Sequence, residues 1–87
     1  NDKKINIELK FSYFAGSHLL ETPLSYNQKD KATRDGYLII KDEVTDNMEL
    51  RYWIRAFGDS VEVIKPTKLR NEFATEAKRT AKKYEQN

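Results

Sequence analysis

Ile5, Ile7, Leu9 and Phe11 alternate with Asn6, Glu8 and Lys10. This period of two predicts a strand with one face on a core and the other in water. Ser12 then offers an N-cap for a short helix through Tyr13, Phe14, Ala15, His18 and Leu19. Gly16 weakens that helix by roughly 1 kcal/mol relative to alanine, and its missing side chain allows close packing on the sheet instead. Pro23 ends the segment. Asp35-Gly36 is a hairpin turn signal. It introduces a strand from Tyr37 to Val44, whose partner is expected within the polar stretch Leu24 to Ala32.

The clearest helix is expected to begin at Asp46, whose carboxylate can cap it, with Glu49 three residues on as in a capping box. Leu50, Trp53, Ile54 and Phe57 follow the spacing of one buried helical face, Arg51 and Arg55 fall opposite, and Gly58 stands where a helix stops. Val61 and Val63 alternate with Ser60 and Glu62 as a further short strand, and Pro66 suits the first turn of a last helix. The order strand, helix, strand, strand, helix, strand, helix predicts an α+β fold. It is the ferredoxin-like βαββαβ sandwich with an additional C-terminal helix. The expected core holds Ile7, Leu9, Leu50, Trp53, Phe57 and Val61, with Trp53 placed there by its register with Leu50, Ile54 and Phe57.

On the last helix, Leu69, Phe73, Ala77, Ala81 and Tyr84 form an apolar stripe. At ~1.5 Å per residue such a helix reaches ~25–30 Å, longer than a short strand. Its distal part therefore has few partners within one small domain. Phe73, Ala77, Ala81 and Tyr84 are the expected association surface, toward a second subunit or a neighbouring domain. The alternative is that Tyr84 frays in solvent.

Composition narrows the chemistry. The 87 residues suit one small domain, with no cysteine and a single histidine, His18. Disulfides and Cys/His zinc sites are thereby excluded, and no cofactor is expected. Charged residues make up 34% with a net charge of only +2, a balance that suits a soluble cytoplasmic protein. No apolar run approaches the ~20 residues that span a bilayer, so no membrane partner is expected. The first residues, Asn1 to Lys4, are polar and lack a methionine; they read as a linker remnant, with a parent chain continuing upstream. The segment from Lys65 to Asn87 carries +4 and the remainder −2. The basic end is either a solvated helix face or a surface for an anion.

No catalytic constellation emerges. Phosphate-binding glycine loops and the nucleophile elbow are absent. His18 lacks an evident orienting partner, and Asp42, Glu43 and Asp46 match no calcium loop. The simpler expectation is that Asp46 caps a helix while Asp42 and Glu43 solvate a strand end. Base stacking on the sheet, as RNA-recognition modules do it, needs aromatics that Lys4, Asn6, Glu8 and Lys10 do not supply, and only Tyr37 could serve. The chain is not expected to be an enzyme.

One resemblance runs through most of the chain. Gly36-Tyr-Leu-Ile-Ile, Val44-Thr-Asp, Leu50-Arg-Tyr-Trp-Ile-Arg-Ala-Phe-Gly58, Val61-Glu-Val-Ile-Lys-Pro66 and Leu69-Arg70 resemble the C-terminal extension, WCX, of bacterial WYL-domain transcription regulators. The resemblance implies a parent chain in which a helix-turn-helix and a WYL domain precede this one. It implies a regulatory and dimerising role, and a nucleotide or single-stranded nucleic-acid effector. It transfers no ligand residues, since the extension has no universal site motif. The alternative is a stand-alone small-ligand or nucleic-acid binding module.

If the domain helps to sense such an effector, the candidate contacts are Arg51, Arg55, Arg70, Arg79, Lys82 and Lys83. Arg51 and Arg55 lie four apart and could hold one anion together. The plainer alternative is that these arginines pair with Glu49, Glu62 or Glu72 and face water.

Overall fold

A computed structural model describes residues 3–85; Asn1 and Asp2, part of the expected linker remnant, lie outside the described residues. The alternating N-terminal segment forms β1 (Lys3–Ser12). Two short helices follow, α1 (Tyr13–Gly16) and α2 (His18–Glu21), then β2 (Lys29–Ala32) and β3 (Tyr37–Asp46). After them come α3 (Met48–Arg55), a 3₁₀ turn at Gly58–Ser60, β4 (Val61–Lys65) and α4 (Thr67–Tyr84).

The sheet is antiparallel throughout, in the order β2-β3-β1-β4. The connection from β1 to β2 passes over β3, and that from β3 to β4 passes over β1, each carrying helices. The domain is thus mixed α+β, a four-stranded sheet with helices that include a C-terminal one.

Register sorts the two faces. Ile7, Leu9 and Phe11 stand opposite Asp42, Ile40 and Leu38. All six side chains turn to the helices, and the five apolar ones form the core with Leu19, Leu50, Ile54, Val63 and Leu69. Asn6, Glu8, Lys10 and Ser12 stand opposite Glu43, Lys41, Ile39 and Tyr37 on the open face. Between Glu8 and Leu9 the pairing with β4 shifts: Leu9 faces Val63, yet Glu8 faces Lys65. Ile64 is the extra residue of a β-bulge.

Several local expectations are corrected. The helix after β1 is two four-residue pieces, and Ser12 makes no side-chain cap. A Cβ on Gly16 would lie 2.7 Å from Phe11 Cγ, so this glycine brings α1 directly onto the aromatic ring. The cap of α3 is Asn47, whose Oδ1 accepts from the Leu50 N–H at 2.8 Å; Asp46 instead receives Arg51. Helix α3 stops at Arg55, and Gly58, at φ +58°, reverses the chain beyond it. Trp53, Phe57 and Val61 are half-buried against the core rather than inside it. Phe11 is the fully buried aromatic, with Phe57 and Trp53 edge-on to its ring at 4.9 and 6.2 Å. Asp42 does not solvate a strand end. It is buried at 6% exposure, its Oδ1 accepting from the Ser25 hydroxyl and the Glu43 N–H, each at 2.7 Å. Strand alternation forces that burial, because Asp42 shares the inward parity of Leu38 and Ile40.

Candidate functional site

Helix α4 lies beside α3, and ion pairs join them. Arg51 Nε and Nη2 donate to the two Glu72 carboxylate oxygens at 2.6 and 3.1 Å, while Nη1 donates to Asp46 Oδ1 at 2.6 Å and to the Asn47 carbonyl at 2.8 Å. One turn further on, Arg55 forks onto Glu76 at 2.8–3.0 Å. The spacing of four on each helix matches, so two parallel rungs form. The electrostatics follow. Glu72, then Asp46, raise the Arg51 pKa; Glu76 raises that of Arg55; and the Arg51 guanidinium holds the Glu72 carboxyl below the usual glutamate range.

Arg51 and Arg55 therefore share a helix face, as their spacing requires, but each guanidinium fork is already filled by carboxylate. Arg70 is also engaged, its Nη1 donating to Glu62 Oε2 at 2.7 Å and to the Val63 carbonyl at 2.8 Å. Arg79, Lys82 and Lys83 are exposed on the distal half of α4 and form no ion pair among the described residues. The structure does not gather the six cations into one cluster.

The apolar stripe of α4 loses its cover along its length. Leu69 is buried, Phe73 half-buried, and Ala77, Ala81 and Tyr84 are exposed, Tyr84 at 84%. Between the distal helix, the end of α3 and β4 lies an open groove of about 580 Å³, walled by Val61, Val63, Phe73, Ala77 and Ala81.

The open face of the sheet presents the second concavity, a hollow of about 470 Å³. Cross-strand pairing places Lys29, Lys41, Glu8 and Lys65 in one row across all four strands. Lys41 Nζ is 4.0 Å from Glu8. Lys10 lies over the Tyr37 ring at 4.2 Å and occupies the one aromatic platform of this face. Sequence reasoning passed over the row. Lys29 lay in a stretch without clear periodicity, and the parity of Lys65 depends on the bulge.

His18 is exposed and stacked on Phe57, with ring centroids 6.1 Å apart. Among the described residues no group of three or more histidine, cysteine, aspartate or glutamate side chains converges as for a metal ion, and no helix is long and apolar enough to cross a membrane.

A family model described as the WCX domain matches residues 3–81. The match reaches from the start of β1 through the tie between α3 and α4 into the exposed part of α4. No curated protein matches the chain.

Proposed function

Since the chain belongs to the WCX domain family, found as the C-terminal extension of WYL-type transcription regulators, we propose that it is a non-catalytic regulatory module. In this reading it joins subunits of a cytoplasmic bacterial regulator and helps carry an effector signal to the DNA-binding domain. The strand order and the two crossovers support the ferredoxin-like arrangement for it.

The observation that carries the reading is the uncovering of α4. An 18-residue helix is ~27 Å long. Its ion pairs to α3 end at Glu76, and beyond them Ala77, Ala81 and Tyr84 continue the apolar stripe into solvent. A helix face of this kind gains stability by covering a matching face in another subunit or domain. Arg51 and Arg55 act here as fasteners between α3 and α4, and Arg70 ties α4 to β4. An effector therefore meets this domain elsewhere, or at a junction with the upstream WYL domain.

Sedimentation equilibrium tests the association. The expected result is a concentration-dependent monomer–dimer equilibrium that Ala81→Glu abolishes while circular dichroism and melting temperature stay unchanged. A chain that remains monomeric at millimolar concentration would remove subunit joining from the reading.

A stand-alone small-ligand module is the second reading, and the lysine row on the open face favours it.

A further inference from the structure

Lysines 29 and 41 stand directly opposite each other on neighbouring strands. Like charges so placed destabilise a sheet. Among the described residues Lys29 has no carboxylate within ion-pairing distance, and Lys41 has only Glu8, at the limit of 4.0 Å.

The bulge adds a third ammonium group to the same row. Val63 faces the core, so regular alternation would turn Lys65 inward as well. The extra residue, Ile64, reverses the parity and sets Lys65 beside Glu8 on the open face. Bulges commonly re-aim a side chain next to a site. Three cations thus share one hollow with Asn6 and Asn27 at its rim. Its volume of about 470 Å³ falls within the roughly 300–1,000 Å³ of small-molecule sites.

From this geometry we propose that the hollow binds a phosphorylated polyol, a sugar phosphate in the broad sense. The proposal goes beyond the regulatory reading and does not depend on it. Lysine ammonium groups suit the phosphate as compact point charges with rotatable donors. The carboxylates select the rest of the ligand. Glu8 interrupts the lysine row, and Glu43 stands at its margin. A continuous chain of phosphates lying across the sheet would meet Glu8 in the middle. A ligand with one phosphate and several hydroxyls offers anion to the lysines and hydrogen-bond donors to the two glutamates.

Titration of the ¹⁵N-labelled chain with glucose 6-phosphate tests this. The expected result is saturable shifts of the Asn6, Lys41 and Lys65 amides, none with glucose, and weaker ones with sulfate. Lys29→Gln should weaken binding about tenfold, the loss of one charge-assisted hydrogen bond. It should leave the ligand-free melting temperature unchanged or higher, because it relieves the repulsion from Lys41. Lys82→Gln on α4 should bind as the wild type does. Absent shifts, shifts confined to α4, or equal binding of sulfate would overturn the proposal. A short single-stranded oligonucleotide that shifts the same amides and is not displaced by glucose 6-phosphate would overturn it as well, by assigning the lysines to a polymer backbone.

Discussion

Arg51 Nε lies 2.6 Å from Glu72 Oε2, and this pair spans the two longest helices of the domain. Its guanidinium also holds Asp46 at the end of β3, so one side chain fastens α3, α4 and the central sheet together. The Arg51 side chain is only 15% exposed, which screens the pair less than a pair in open water. Arg51→Ala leaves two carboxylates facing each other across the helix junction and should destabilise by about 2 kcal/mol. Arg51→Lys should recover only part, since an ammonium cannot form the fork. Urea denaturation measures both.

The same pair gives acid sensitivity with a definite sign. Arg51 holds the Glu72 carboxyl below the ordinary glutamate value in the folded chain. The unfolded chain therefore takes up the proton first. The associated stability is fully present above the unfolded value of about 4.3, and is lost as pH falls through the lower folded value. Glu72→Gln should reduce stability at neutral pH and flatten its decline on acidification. Asp35 is also lowered, chiefly by the Thr33 hydroxyl, so some decline should persist in that variant. Melting temperatures across the acid range provide the measurement.

Truncation of the aromatic cluster should follow depth rather than size. Phe11 is fully buried and Trp53 half-buried. Phe11→Ala should cost about 3–5 kcal/mol, and Trp53→Ala roughly 2 kcal/mol, below the range for fully buried tryptophan. Equal losses in denaturant titrations would contradict this order.

Two glycines should fail for different reasons. At Gly16 an added methyl meets the Phe11 ring, and Gly16→Ala should cost about 1–3 kcal/mol through overpacking. At Gly36 nothing obstructs the methyl, but φ is +95°, so Gly36→Ala should cost roughly 1 kcal/mol in backbone strain alone. Phe11→Leu, which keeps the Cβ and Cγ that the Gly16 methyl meets most closely, should rescue neither loss.

The cap of α3 offers a simple contrast. Asn47→Ala removes the acceptor for the Leu50 N–H and should cost about 1 kcal/mol. Asp46→Asn should leave the cap intact and weaken only the hold on Arg51.

The alternation at Ile5–Phe11, the turn at Asp35-Gly36 and the helical spacing of Leu50 and Ile54 were readable in the sequence because each is set by neighbours a few residues apart. The cap of α3 was misplaced by one residue, since Asp46 and Asn47 are both good caps and only the partner, Arg51, separates them. The depth of Trp53 was overestimated because helical register gives direction and not distance from the surface. The α3–α4 rungs pair residues 21 apart in sequence; the sequence offers Glu72 as a partner for these arginines, whereas nothing local points to Glu76. The lysine row was hidden altogether, for cross-strand neighbours arise only from register, and one extra residue in β4 decides the side on which Lys65 stands.

Arg70 hydrogen-bonds the Val63 carbonyl of the edge strand β4, and the opposite rim is the four-residue strand Lys29-Asp-Lys-Ala32. Neither rim invites another strand: one has a carbonyl already occupied by a guanidinium, the other is short and charged. Growth along the hydrogen-bonding direction, the route by which small sheets turn into fibrils, is thereby obstructed at both ends. Copies of this domain brought to high local concentration are left with contacts through helix or sheet face, which favour assemblies of limited size over open-ended ones.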